Sequence, residues 1–158
     1  MDREGVTYQA PFHSYIVEVK PNLCFVLMPF LPEMDEIYEA VVRPAIVEPP
    51  VNMSCLRADE LYTTNEIVED IWSSILSARV IVADLTHRNP NVMYELGMVH
   101  TLGKRAVLLT QDIDDVPFDL RHIRCIVYDR GPLGVAKLKG GLQRTLESLL
   151  AEPIDNAY

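Results

Sequence analysis

The chain has 158 residues, a length that fits one domain with a real hydrophobic core and leaves no room for a second full domain. Its formal net charge of -9 would repel a phosphate backbone, and no Lys/Arg cluster offsets this repulsion, so no DNA or RNA polymer is expected as a partner. No signal-peptide pattern opens the chain and no apolar run approaches the roughly 18 residues that span a bilayer, which predicts a cytoplasmic protein without a membrane partner.

The N-terminal half begins an alternation of short apolar runs with segments of helical period, the pattern of βαβ units around a parallel sheet. Residues 23–28 form a continuous apolar run, typical of a central strand covered on both faces. A helix is predicted over residues 33–43, and Pro44, the next residue, should stop or kink it. A weaker strand is predicted at residues 53–57.

The second helix has the best-defined start in the sequence. Thr63 and Glu66 have the form of a capping box, and apolar residues follow at helical spacing. Gly103 is expected to end the third helix as its C-cap. The remaining predicted elements are, in chain order, a strand at 79–85, a helix at 91–102, strands at 105–109 and 123–128, and a final helix at about 133–150.

This order of elements predicts an α/β fold, a flavodoxin-like three-layer sandwich with a five-stranded parallel sheet of order 2-1-3-4-5. Residues 21–152 make up the predicted domain, preceded by residues 1–20 as an N-terminal arm or added edge strand and followed by residues 153–158 as a tail. In such sheets ligands bind beyond the carboxyl ends of the strands, at the switch point between the first and third strands.

The sequence predicts no metal and no other cofactor. Its histidines have no metal-ligand spacing with one another or with a cysteine, and there is no Gly-rich phosphate loop of either common form. Cys24, Cys55 and Cys125 are odd in number and lie in predicted strands, which favours reduced, buried thiols over a disulfide or a nucleophile.

Glu95 is the most informative residue of the predicted crevice. Asn89 and Pro90 form a good helix opening, as cap and first helical residue. Glu95 lies about one and a half turns inside that helix, and helical side chains lean towards the N-terminus, so its carboxylate should point back at the crevice. Asn91 is four residues earlier on the same face. The predicted core stripe of Val92, Leu96 and Val99 leaves Glu95 on the flank of the helix, not buried against the sheet.

Position alone leaves two readings of the polar residues open. A Glu on a helix flank is most often only a solvated residue, and Asp84 with Thr86 after the third strand can simply form a turn or cap. The alternative is that a carboxylate aimed at a cleft beside amide side chains acts as a nucleophile or general base.

Four sequence runs favour the functional reading: MPF after the first strand, VEDIWSSILSARVIVADLT, NPNVMYELGMVHTLGK and the later VPFDLR. From Leu23 to about Tyr128 the chain resembles the nucleoside 2-deoxyribosyltransferase-like group, which is similar in fold to TIR domains. In the transferases the Glu of the ELG element attacks the anomeric carbon of a deoxyribonucleoside, and TIR-type NAD hydrolases use a Glu on a comparable helix. The resemblance implies the same catalytic role for Glu95.

The resemblance also implies further site residues. Asp70 matches an Asp that contacts the nucleobase and assists its protonation, although a plain helix-face charge remains the alternative. Phe30 matches an aromatic position that stacks on a base, although a core role is equally common. Asp84, Thr86, Asn89 and Asn91 complete the predicted substrate-binding set at the switch point. Asn89 departs from the transferase pattern, which has a second acidic residue there.

Two functions remain in competition. The first is an enzyme, an N-glycosyl hydrolase or deoxyribosyltransferase-like transferase, acting on a nucleoside, a nucleotide or NAD. The second is a non-catalytic TIR-like nucleotide-binding or signalling module that uses the same crevice. The resemblance also implies a homo-oligomer, because related transferase active sites borrow residues from a neighbouring subunit and TIR-like domains often assemble through their surface. The sequence does not name the base or the sugar.

Overall fold

A computed structural model of the chain describes residues 17–61 and 67–154. The capping box predicted at Thr63 and Glu66, and most of the predicted N-terminal arm, lie outside the described residues. The described part contains an all-parallel sheet of order β2-β1-β3-β4-β5, which confirms the predicted flavodoxin-like α/β fold. The strands are β1 (Lys20–Leu27), β2 (Ser54–Arg57), β3 (Ala78–Asp84), β4 (Ala106–Thr110) and β5 (Cys125–Val127).

Helices cover both faces of this sheet. They are α1 (Pro32–Ile37), α2 (Arg43–Val47), α3 (Ile67–Ser77), α4 (Pro90–Thr101) and α5 (Pro132–Leu150), with a π-helical segment at Tyr38–Val42 between α1 and α2. No helix in the described ranges is long and apolar enough to span a membrane. Gly103 follows α4 with a φ of 62°, the left-handed conformation that glycine adopts most easily after a helix end.

Alternation along the central strand divides the core in two. Cys24 and Val26 face a cluster built with α1, the π-helical segment, α2 and α5. Phe25 and Leu27 face the opposite cluster, built with α3 and α4. Successive strand residues point to opposite faces of a sheet, so a continuous apolar run is what a strand between two helical layers requires.

Pro44 does not end the first helical segment, which continues to Val47. Proline lacks an N–H and crowds the carbonyl one turn earlier, so it disrupts a regular α-helix. Here the preceding turn widens, and the Arg43 N–H donates to the carbonyl of Tyr38, five residues earlier. The helix therefore absorbs the proline through a π-helical turn, a feature that occurs frequently at functional sites.

Candidate functional site

The predicted crevice lies where β1 and β3 end side by side. Their register pairs Leu27 with Ala83, so the residues that follow both strands leave the sheet at the same level. Phe30 follows β1 and has 54% of its surface exposed, which is unusual for a large aromatic residue at the end of a central strand. Thr86 follows β3 and is buried. The edge therefore presents an exposed aromatic ring next to a closed polar turn.

Asn89 caps α4, as the sequence predicted. Its side-chain oxygen accepts hydrogen bonds from the N–H groups of Asn91 and Val92, at 3.0 and 3.3 Å. Pro90 is the first helical residue, where its missing N–H costs nothing. The Asn91 side chain is exposed at this end of the helix. The cap fixes where α4 begins and, through the helical repeat, where Glu95 lies.

Glu95 is buried, with only 8% of its surface exposed, whereas the helix period placed it on an open flank. That period counts only the stripe facing the sheet as core, but α4 packs against α3 as well as against β1 and β3. Within residues 17–61 and 67–154, no hydrogen bond or ion pair reaches the Glu95 carboxylate. Burial alone raises the pKa of Glu95 to about 7.

A carboxyl group with a pKa near 7 exists in both protonation states at neutral pH. The ionised form can attack a carbon or take a proton, and the neutral form can donate one. Within the described residues no fully buried side-chain oxygen lacks a partner, so the unpartnered Glu95 carboxylate keeps some access to solvent although most of the residue is buried. Strongly perturbed pKa values of this kind cluster at functional sites.

Asp84, at the end of β3, is also buried but is fully engaged within the protein. Its carboxylate accepts hydrogen bonds from the Thr86 N–H (3.0 Å), the Thr86 hydroxyl (2.5 Å) and the Tyr128 hydroxyl (2.7 Å). Burial raises the pKa of Asp84, and the hydrogen bonds from Thr86 and Tyr128 oppose that rise. The Thr86 hydroxyl oxygen in turn accepts from the Gln111 N–H at 3.1 Å. These contacts tie the ends of β3, β4 and β5 together.

The turn between β3 and α4 has unusual backbone geometry. His87 and Arg88 have φ values of 64° and 50°, in the left-handed region that side chains other than glycine adopt at a cost. Asp115 accepts a hydrogen bond from the His87 N–H at 2.8 Å, and the Arg88 guanidinium donates to the Asp114 carbonyl. The surrounding structure thus holds a strained turn immediately before the helix that carries Glu95.

The remaining predicted residue, Asp70, is buried on α3 near the start of its described part. Since α3 packs against α4, Asp70 and Glu95 belong to neighbouring helices. The structure thus brings Asn89, Asn91 and Glu95 together on one helix, with Phe30 at the neighbouring strand end and Asp70 on the adjacent helix. The catalytic and binding roles of these residues stay predictions.

Arg57 is a residue at this edge that the sequence interpretation missed. It is the last residue of β2 and is buried, with ion pairs to Asp35 and Asp59. Its guanidinium lies over the Tyr38 ring. The signal that identifies it is its position, because a charged residue at the carboxyl end of a strand in such a sheet lies on the ligand-binding edge.

The thiols show no feature of a reactive site. Cys24, Cys55 and Cys125 are all free and lie in strands, Cys24 fully buried and the other two partly buried. Burial raises the pKa values of Cys55 and Cys125 to about 11, which disfavours the nucleophilic thiolate. Within the described ranges no group of three or more His, Cys, Asp or Glu side chains is arranged to hold a metal ion.

No protein-family model matches the chain. No curated protein matches it either. Its structural neighbours include a 2-desoxiribosyltransferase from Leishmania mexicana, with 22% identity and a TM-score of 0.47 over 58% of this chain and 66% of that chain. They also include the TIR domains of the activated Roq1 resistosome that recognises the pathogen effector XopQ, with 12% identity and a TM-score of 0.42 over 87% and 90% of the two chains. Both TM-scores lie below 0.5, so no statement about the fold or about a residue of this chain rests on these two neighbours.

Proposed function

We propose that the chain cleaves or transfers the N-glycosidic bond of a nucleoside, a nucleotide or NAD, with Glu95 as the carboxylate that acts on the sugar. The observation that carries the proposal is the state of Glu95, which is buried on α4 without a partner in the described chain and has a pKa of about 7. The ELG run that contains it supplies the reaction class by resemblance.

In the proposed reaction, the bond between the anomeric carbon and the base nitrogen breaks, and its electron pair leaves with the base. The sugar becomes oxocarbenium-like, and the ionised Glu95 carboxylate bonds to the anomeric carbon or stabilises its charge. Asp70 donates a proton to the departing base. Water, or the nitrogen of a second base, then attacks the anomeric carbon, gives a proton to the Asp70 carboxylate and releases Glu95.

The other predicted residues shape the site in this proposal. The exposed Phe30 ring stacks on the base, and the exposed Asn91 amide binds the sugar near the start of α4. Asn89 caps α4 and thereby sets the position of that helix. Asp84 and Thr86 hold the turn before α4, because their polar groups are engaged with each other and with the ends of β4 and β5.

A substrate panel tests the proposal. The purified full chain is incubated with ribonucleosides, deoxyribonucleosides, nucleoside monophosphates and NAD, with and without a second free base, and released base is measured by chromatography. Glu95→Gln and Glu95→Ala should each lower the rate by about 10²- to 10⁴-fold, the range typical of a lost acid, base or nucleophile. Glu147→Gln, on an exposed position of α5, is the matched control and should retain full activity.

Three outcomes of the panel are distinct. Base release that survives in Glu95→Ala contradicts the mechanism. Thermal stabilisation by a nucleotide without base release from any compound favours the alternative of a TIR-like binding or signalling module. Light scattering of the same samples with and without ligand tests the predicted homo-oligomer, against which a monomer in both conditions would count.

A further inference from the structure

Arg57 is a charged residue that the fold buries at the ligand-binding edge. Its Nε donates to Asp59 at 2.6 Å, a second nitrogen of the same fork pairs with the other Asp59 oxygen, and a third donates to Asp35 at 2.8 Å. Bidentate pairing of this kind fixes the plane of a guanidinium as well as its position. Arg57 is thus held rigidly between the turn after β2 and the first turn of α1.

The Arg57 guanidinium lies over two aromatic rings. It lies 4.4 Å from the centre of the Tyr38 ring and 5.9 Å from that of Phe30, both within the range of a cation–π contact. Tyr38 is itself fixed, since it is fully buried and its hydroxyl donates to Glu60 at 3.3 Å. Glu60 also accepts the Arg57 backbone N–H at 2.8 Å. Of these groups, Phe30 is the one that presents an aromatic surface to solvent.

The charges around this aromatic surface disfavour a phosphate. Asp35, Asp59 and Glu60 are three carboxylates, and among residues 17–61 and 67–154 the cations paired with them are Arg57 and Arg43. The cluster therefore carries an excess of negative charge, which repels an anion and leaves an uncharged heterocycle as the better neighbour for the Phe30 ring.

We propose that Arg57 is a positioning residue that holds Phe30 as the platform on which the base of the ligand stacks. The proposal rests on the proposed function only in taking the ligand to be a nucleoside derivative. Arg57 acts through Phe30, and it contacts neither the sugar nor the bond that breaks. The base then lies on the Phe30 side of the crevice and the sugar towards Glu95, with any phosphate directed away from the acidic cluster.

Direct binding of 2-aminopurine riboside tests the platform, because stacking on an aromatic ring quenches the fluorescence of this base. The measurement uses the full chain carrying Glu95→Gln, so that turnover does not interfere. Phe30→Leu should raise Kd roughly tenfold and abolish the quenching, and Phe30→Trp should preserve both. Arg57→Lys keeps the charge but loses the planar fork, so it should reproduce most of the Phe30→Leu defect.

If Arg57 acts through Phe30, two further results are expected. Arg57→Lys combined with Phe30→Leu should bind no worse than Phe30→Leu alone, because both changes remove the same platform. With the catalytic Glu95 restored, Arg57→Lys should raise KM and leave kcat near its original value. Arg144→Lys, on an exposed position of α5, is the matched control. Additive losses, or a lowered kcat at unchanged KM, would overturn the proposal.

A second variant covers the case in which Arg57→Lys does not fold. Asp35→Ala removes one half-exposed partner and leaves Arg57 with Asp59, so it should raise Kd about threefold, and an unchanged Kd would contradict the positioning role of Arg57. The two proposals fail separately. Quenching that depends on Phe30 without base release from any substrate refutes the enzyme and keeps the platform. Glu95-dependent base release with normal binding in Phe30→Leu, or no binding of the riboside, refutes the platform.

Discussion

Two buried carboxyl groups, Asp84 at the end of β3 and Glu95 in the helix that follows, differ in their contacts. Asp84 accepts hydrogen bonds from Thr86 and Tyr128 and joins three strand ends. Glu95 has no hydrogen bond or ion pair within the described chain. Burial raises the pKa of both groups, but donors oppose the rise only at Asp84.

The difference separates a carboxylate that builds the fold from one that is held ready for chemistry. Hydrogen-bond donors offset part of the desolvation of Asp84, whose pKa is still raised, and the same bonds join the ends of three strands. The desolvation of Glu95 is not compensated in this way, so its ionised form destabilises the folded state. A ligand with developing positive charge would supply the missing partner, and this links the stability cost to the proposed reaction.

The largest expected effect is on stability, in Asp84→Ala. The change leaves the donors of Thr86 and the Tyr128 hydroxyl without their buried acceptor, and it should cost about 3 kcal/mol in the free energy of unfolding measured with urea. Asp119→Ala, at an exposed site, is the matched control and should change it by less than about 0.5 kcal/mol. An Asp84→Ala protein of ordinary stability that no longer binds nucleosides would instead place Asp84 in contact with the ligand.

Glu95→Gln should have the opposite sign and a smaller size. The folded-state pKa of about 7 lies above the ordinary value of 4.5, so the folded chain binds the proton more tightly and the wild type loses stability as pH rises from about 4.5 to 7. The variant lacks this penalty. At pH 8 it should be more stable than the wild type by about 2 kcal/mol, with most of that advantage gone at pH 5.

The same urea measurement on Glu147→Gln should show no comparable difference between the two pH values. A Glu95→Gln protein that is less stable than the wild type at pH 8 would show that the carboxylate has a stabilising partner after all.

The sheet order was predictable because it depends on features that short sequence windows contain. The apolar run of β1 requires cover on both faces, and the alternation of strands with helices selects a parallel sheet. The start of α4 was also predictable, since Asn89 and Pro90 act through neighbouring backbone groups. The ends of the elements were less accurate. β5 has three residues, Cys125–Val127, where six were predicted, because an edge strand pairs on one side only.

The site was predicted less completely because its chemistry depends on contacts between distant residues. The helical period identified which face of α4 meets the sheet, but the cover from α3 that buries Glu95 is a tertiary feature. The partner of Asp84 at Tyr128 lies 44 residues away, and that of Arg57 at Asp35 lies 22 away. No short window of sequence contains such pairs, so a strand-end Asp and a strand-end Arg could not be assigned their roles.

The smallest expected effect is the pH dependence of catalysis, a change in kcat/KM of about tenfold per pH unit. The ratio kcat/KM reports the protonation state of the free enzyme, which is the state that the pKa of about 7 describes. If Glu95 acts on the sugar as a carboxylate, kcat/KM should rise about tenfold per unit below pH 7 and level off above it. A general acid would give the reverse, a fall above pH 7. Asp84→Asn is the control for titration of the other buried carboxyl group. It retains an acceptor oxygen for Thr86 and should leave the midpoint of the kcat/KM profile unchanged. A midpoint near 4.5 would instead mean that Glu95 is solvated in the free enzyme and that its burial does not tune the reaction.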